Sequence, residues 1–230
     1  MRILAFDTST EFCSCALWAG GEADEAVERA GQRHSSLLLP MAQRLLAHHG
    51  TRMDALDAIA FGAGPGSFTG LRIACSVAQG IAFARGLPVL PVSTLEALAE
   101  EVDGERVLAA LDARMGELYL AAFRRSGDGW QTIEGPCLAQ PQALPPLDGT
   151  WTGRGSGFAA HGAALAGAYR LDTVDAAAFP RARAVARIGA RALAAGRTVA
   201  PEAAAPLYLR DKVALDVREQ AAARLARGAR

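Results

Sequence analysis

Two hydrophobic rhythms alternate along the first hundred residues. Ile3-Leu4-Ala5-Phe6 is a short apolar run that stops at Asp7, Cys13–Trp18 repeats it after a polar turn, and Glu22–Glu28 alternates polar with apolar. These spacings predict three strands, the first two paired as a hairpin. From His34 to His49 the period lengthens, with Leu38, Met41, Ala42, Leu45 and Leu46 recurring at helical intervals. Pro40 suits that helix if it starts near Ser35 or Ser36, because a proline ring is tolerated in a first turn. A strand over Ala58–Phe61 then breaks into four glycines and a proline, and apolar periodicity resumes as a helix over Gly70–Ala84. A short strand, Pro88–Val92, precedes a helix capped by Ser93 or Thr94, with Glu96 in its first turn, that runs to about Glu101. The predicted order is β-β-β-α-β-α-β-α.

The pattern then restarts. Arg106–Asp112 is a second apolar run ending in aspartate, followed by the turn Ala113-Arg114-Met115-Gly116 and a returning strand, Glu117–Phe123. Two copies of buried strand, aspartate, short polar turn and returning strand, about a hundred residues apart, predict duplicated lobes. The second copy is broken by the proline-rich segment 136–146. It resumes with strand Thr150–Thr152, a glycine-rich turn over Gly153–Gly157, a helix from Phe158 to about Leu165 and a long Ala/Arg helix, Ala182–Ala195. Pro201–Pro206 reads as a linker, and a charged helix is predicted over roughly Asp216–Arg227. The expected fold class is therefore α/β. A first lobe spans residues 1–104, a shortened second lobe spans 105–206, and the terminal helix within 207–230 packs back on the first.

Composition narrows the setting. The chain has 230 residues, 51% of them hydrophobic and 21% charged, as in ordinary globular proteins. Its apolar runs are too short and too interrupted to span a bilayer, and the N-terminus has no basic region or small-residue cleavage site of a signal peptide. The four cysteines form neither a disulfide nor a zinc pattern: Cys13 and Cys15 lie two apart on one strand face, and Cys75 and Cys137 are isolated. A reducing cytoplasm is the simple reading. Zero net charge conceals an asymmetry. Residues 1–105 carry 7 basic and 13 acidic groups, and residues 181–230 carry 11 and 4. Such a basic end suits nucleic acid, or else a solvated helix face or a mate for the acidic first part of the same chain. Its lack of interleaved aromatics favours the latter two.

The residues with candidate chemistry are few. A strand, a glycine-rich turn over Gly62–Gly70 and a helix start form a geometry that faces backbone N–H groups toward an anion, yet the same glycines also allow close backbone packing. Asp7, Thr8 and Ser9, with Asp112 as their counterpart and Gly153 and Gly155 as a second glycine turn, would suit a nucleotide cleft; as structural residues they cap hairpins and turn a strand into a helix. Ser35 and Ser67 carry no local triad motif. Two histidines at i and i+4 share a helix face and suit a metal, but four residues after His34 stands Leu38. His48 and His49 are neighbours that face different directions, so no metal site is expected, and His34 is assigned to a helix start or the surface.

Taken together, Asp7-Thr8-Ser9-Thr10, His34-Ser35, Gly64-Pro65-Gly66-Ser67-Phe68-Thr69-Gly70-Leu71-Arg72, Asp112–Glu117 and Pro206-Leu207-Tyr208-Leu209-Arg210 occur in an order that resembles the TsaB (YeaZ) family. This family comprises bacterial partner subunits for synthesis of threonylcarbamoyladenosine in tRNA. The resemblance covers essentially the whole chain and implies two ribonuclease H-like lobes of the actin-like ATPase superfamily. It also implies a non-catalytic cytoplasmic subunit that activates the related transferase TsaD, works with the ATPase TsaE, forms a homodimer when alone and meets tRNA through the complex. No cofactor is expected beyond vestigial ATP or ADP binding at Asp7, Thr8, Ser9, Asp112, Gly153 and Gly155. Relatives imply an interface built from the His34–His49 and Gly70–Ala84 helices. The contacts expected there are Leu38, Leu45, Ile73, Val77 and Ile81, with Arg72 fixing polar register. An ATPase or small-molecule kinase, or a peptidase as the family's older glycoprotease label suggests, is the alternative.

Overall fold

The computed structural model describes residues 1–210; the helix predicted over 216–227 lies outside them. Two five-stranded sheets hold the chain. The first contains β1 (Arg2–Asp7), β2 (Phe12–Ala19), β3 (Glu22–Arg29), β4 (Ala58–Gly64) and β5 (Val89–Ser93), in the order β3-β2-β1-β4-β5. The second contains β6 (Arg106–Arg114), β7 (Glu117–Ser126), β8 (Gly129–Ala139), β9 (Thr150–Arg154) and β10 (Arg170–Asp175), in the order β10-β9-β6-β7-β8. In each sheet a central strand pairs antiparallel with a two-strand meander on one side and parallel with a strand on the other. The two orders are the same topology, so the repeat read from the two Asp-turns is a true duplication of the lobe.

Helices fill the layers around these sheets. They are α1 (His34–His48), α2 (Phe68–Arg85), α3 (Thr94–Glu100), α4 (Gly157–Ala168) and α5 (Ala182–Ala194). Strand alternation divides the first core. Leu4 and Phe6 of β1 face α1 and α2, whereas Ile3 and Ala5 face α5. In the second lobe, Leu108 and Ala110 face α4, and Val107, Ala109 and Leu111 face α3. The helices following the two lobes are thus exchanged. Helix α3, which ends the first lobe, covers the second sheet through Leu95, Leu98 and Ala99, and α5, which ends the second, covers the first sheet through Val185, Ala186 and Ile188. The expected division at 104/105 therefore cuts across the layers, because residues 182–194 of the segment assigned to the second lobe pack on the first.

Other boundaries differ for identifiable reasons. Helix α2 starts at Phe68 because the Ser67 hydroxyl caps it, accepting the Gly70 N–H at 3.3 Å. It ends at Gly86, which is left-handed. Pro40 lies inside α1, well past the first turn, so the helix tolerates a missing N–H that the sequence reading had placed at its start. The segment Pro201–Pro206 is not a free linker: Val199 bridges to Val89, and Ala204 is buried against α2. Strand β10 was not predicted, because Arg170–Asp175 is polar and mostly exposed. No described helix is long and apolar enough to cross a membrane.

Part of the charge asymmetry resolves within the described residues. Arg181 pairs with Glu25, Arg183 and Arg187 with Glu101, and Arg191 with Glu100, and all three carboxylates are nearly buried. Glu100 also accepts the Trp130 indole N–H at 3.1 Å. Basic groups from α5 and the residue before it thus neutralise Glu25, Glu100 and Glu101 of the acidic first part.

Candidate functional site

A cleft of about 1100 Å³ opens between the lobes where the two Asp-turns approach each other. The first turn is closed off from it. Asp7 is fully buried; its Oδ1 accepts the Ser9 N–H at 2.9 Å and the Ser9 hydroxyl at 2.7 Å, while its Oδ2 has no partner among the described residues and abuts Gly62. Burial raises the carboxyl to about 7, partly opposed by the Ser9 hydrogen bonds. Thr8 donates its hydroxyl to the Gly70 carbonyl at 2.7 Å, and the Ser9 carbonyl accepts the Ser67 N–H at 2.7 Å. The glycine segment is pressed onto this turn. A Cβ on Gly66 would stand 2.6 Å from the Ser9 carbonyl oxygen, and one on Gly70 would overlap the Thr8 carbonyl. Of the two uses the glycines allowed, close backbone packing is the one realised. Asp7 and Thr8 accordingly point inward, not toward a phosphate, and Ser9 reaches the cleft wall with its hydroxyl given to Asp7.

The second turn is more open. Asp112 is half-buried; its carboxylate accepts the Arg114 N–H at 2.8 Å and the Arg114 guanidinium at 3.1 Å, and its own N–H donates to Ser156 at 3.1 Å. The hairpin turns on Met115 and Gly116, with φ of 56° and 79°, the pair of positions usually filled by Asn and Gly, and Arg114 before them also has a positive φ of 64°. Gly153 and Gly155 do not form a cradle. A Cβ on Gly153 would lie 2.6 Å from the Phe158 ring, and Gly155, at φ 112°, would meet the Ala110 carbonyl. They bring α4 close to β6. The predicted nucleotide residues are therefore gathered around the cleft, but only Ser9 and Asp112 line it.

The cleft has a strap that sequence reasoning singled out as a motif without a role. Leu207 donates its N–H to the Ala63 carbonyl at 2.7 Å. Tyr208 accepts the Arg72 Nε–H at 2.9 Å, and the Arg72 guanidinium lies 3.7 Å over the Phe68 ring. Arg210 then crosses to the second lobe, donating to Glu117 at 2.5 Å and to the Ala113 carbonyl at 3.1 Å. Residues 207–210 thus tie the start of α2 to the β6–β7 hairpin. Arg210→Ala is expected to lower stability by about 2 kcal/mol in urea unfolding, since it strips an ion pair and a carbonyl partner together. Arg72, expected at a partner interface, is engaged within the chain.

The α1–α2 face is the second candidate surface. Leu38 is 0% and Leu45 7% exposed, both in the core beneath α1, so neither offers a contact to a partner. The correction has a simple cause: one apolar stripe on a helix cannot say whether it meets its own sheet or another protein. Ile73, Val77 and Ile81 are half-buried along α2, beside exposed Ser76, Gly80 and Ala84, and Phe83 is 77% exposed. His34 is not on the surface. It is 7% exposed, with Nε2 at 3.0 Å from the Thr10 carbonyl and 3.2 Å from the Phe12 carbonyl, which fixes that nitrogen as the protonated one. The imidazole therefore ties the start of α1 to the β1–β2 turn.

Comparison with known proteins follows this geometry closely. Residues 27–223 match a family model described as TsaD, tRNA N6-adenosine threonylcarbamoyltransferase. The chain is 39% identical over 223 residues to the tRNA threonylcarbamoyladenosine biosynthesis protein TsaB of Escherichia coli K12, covering 93% of this chain and 96% of that one. The protein of the same name in Haemophilus influenzae is 46% identical over 129 residues, 54% of this chain and 55% of that one. A solved structure of YeaZ from Pseudomonas aeruginosa superposes with a TM-score of 0.84 at 39% identity, covering 90% of this chain and 99% of that one. Another structure from that organism, described as an uncharacterized protein with similarity to peptidase YeaZ, gives 0.85 at 40% identity, covering 91% and 99%.

Proposed function

We propose, from the premise that this chain belongs to the TsaB family of tRNA threonylcarbamoyladenosine biosynthesis proteins, that it serves in that modification as a non-catalytic scaffold for the transferase TsaD. The observation that carries the reading is the outer stripe of α2, where the small residues Ser76, Gly80 and Ala84 alternate with half-buried Val77 and Ile81 and end at exposed Phe83. Small side chains let a partner helix approach closely, and the flanking apolar groups supply area. Helix α1 lies beside it on the same side of the sheet, so the two helices offer a ready half of a helical interface. A second copy of the chain would use the same face in a homodimer when TsaD is absent.

The non-catalytic assignment rests on how the chemistry-bearing residues are used. His34 is committed to two carbonyls and Leu38 to the core, so the helix lacks the paired imidazoles of a metal-dependent transferase. Ser67 is committed to capping α2, and the hydrogen bonds of His34 and His49 go to carbonyls and to Asp24, not to a serine. The cleft, with Asp7 and Thr8 turned inward, is read as a vestige of nucleotide binding. In this reading the chain acts in the cytoplasm, TsaE supplies the ATPase activity of the cycle, and tRNA is reached through the complex.

Reconstitution decides the matter. TsaD, TsaE, the threonylcarbamoyl adenylate and tRNA are expected to yield modified tRNA only when this chain is added; equal yield without it would end the scaffold reading. The interface is tested separately by Ser76→Arg, which puts a long charge on the exposed stripe without entering the core. Unfolding is expected to shift by no more than about 0.5 kcal/mol, while affinity for TsaD falls by about tenfold or more. Unchanged affinity would move the interface elsewhere.

A further inference from the structure

At the far end of α1 from the cleft, three ligating side chains meet that neither the modification reaction nor the proposed interface uses. His48 is the last residue of α1 and His49 is the residue that caps it; Asp24 stands on β3, the edge strand of the first sheet. The expectation that the two histidines face different directions fails because the helix ends between them. His49 Nε2 lies 2.7 Å from Asp24 Oδ2, the two imidazoles meet edge to face with centroids 5.2 Å apart, and one donor atom from each of the three residues lies within 4.8 Å of the other two. We propose that Asp24, His48 and His49 form a surface site for a divalent transition metal of the Zn²⁺ class, with water completing its shell.

The donor set selects the ion. Two imidazoles and one carboxylate suit Zn²⁺, Co²⁺, Ni²⁺ or Cu²⁺ and not the all-oxygen shells of Mg²⁺ or Ca²⁺. With bonds of about 2.1 Å, tetrahedral Zn²⁺ holds its donors roughly 3.4 Å apart. The close Asp24–His49 pair must open slightly and no other pair must close by more than about 1.4 Å, movements that exposed side chains make by rotation. The backbones that carry them are held: β3 pairs with β2 along its whole length, and Leu45 and Leu46 anchor the last turn of α1 in the core. One further feature favours a cation: the site sits at the carbonyl end of a 15-residue helix, where the macrodipole is negative. The metal would pin the edge strand to the helix end.

The test uses the full chain, stripped with a chelator and titrated with Zn²⁺ at about pH 7.5, with Co²⁺ as the spectroscopic probe. The expected result is one Zn²⁺ per chain, a tetrahedral Co²⁺ absorption and a metal-dependent rise in melting temperature. His48→Ala and Asp24→Asn are each expected to weaken binding by about tenfold or more, with circular dichroism unchanged because both residues are exposed. His48 has no share in the Asp24–His49 hydrogen bond, so its loss separates metal binding from that contact. Absence of saturable binding up to about 0.1 mM Zn²⁺, or binding unaltered in both variants, overturns the proposal.

Discussion

Gly70→Ala is expected to cost about 3 kcal/mol or more in urea unfolding, a large part of the stability of an ordinary domain. The added methyl group would enter the space of the Thr8 carbonyl oxygen, and neither neighbour has room to retreat. Thr8 is fully buried, its hydroxyl already donates back to the Gly70 carbonyl at 2.7 Å, and Asp7 and Ser9 on either side are locked to each other. Relief would require the first turn of α2 to lift from the β1–β2 turn as a unit, breaking the Ser67-to-Ser9 backbone hydrogen bond as well. Gly80→Ala is the control. It lies in the same helix, with nothing within 4 Å of the new Cβ, and is expected to stabilise the isolated chain by about 0.5–1 kcal/mol through helix propensity. Equal effects at the two positions would show that glycine in α2 matters only for backbone freedom.

The second large effect concerns pH. Asp7 titrates near 7 in the folded chain, against an ordinary value of 3.8. Between those two values the folded state holds a proton that the unfolded state has released. Stability from this group is therefore intact in acid and declines as pH rises through the window. At about 1.4 kcal/mol per unit the loss by pH 8 is at most about 4 kcal/mol. Asp7→Asn keeps an acceptor for Ser9 and has no charge to bury, so the decline is expected to flatten, and the variant should be the more stable protein at pH 8. Burial also raises Glu25 and Glu96, which leaves a shallower slope of the same sign. Urea midpoints at pH 5 and pH 8 measure both slopes. A wild-type midpoint equal at the two values would show that Asp7 is hydrated in solution.

Much of the architecture was legible from the chain. The short apolar runs around Ile3, Cys13 and Val107, and the matching Asp7 and Asp112 turns, announce two related sheets, because run length and turn chemistry are local properties. The exchange of α3 and α5 was not legible. An apolar stripe on a helix states that something covers it, not which sheet does. Leu38 and Leu45 misled for that reason. His34 and Gly70 were legible as special residues but not in their use, since a buried imidazole between two carbonyls and a glycine against a carbonyl are defined by partners 22 to 62 positions away. His48 and His49 were judged by ideal helix geometry at the point where the helix stops.

The exchanged helices also impose an order on the birth of the protein. A nascent chain that has emerged only as far as Ser126 carries every strand of the first sheet but not α5, so Ile3, Ala5, Ala60 and Leu90 remain uncovered on one face. Helix α3, already made, has to wait for the second sheet to receive Leu95 and Leu98. The first lobe therefore cannot be completed and released as a finished unit during synthesis, as consecutive domains usually are. Its open face is covered only once residues 182–194 have left the ribosome, and until then it is a surface for chaperones to shield.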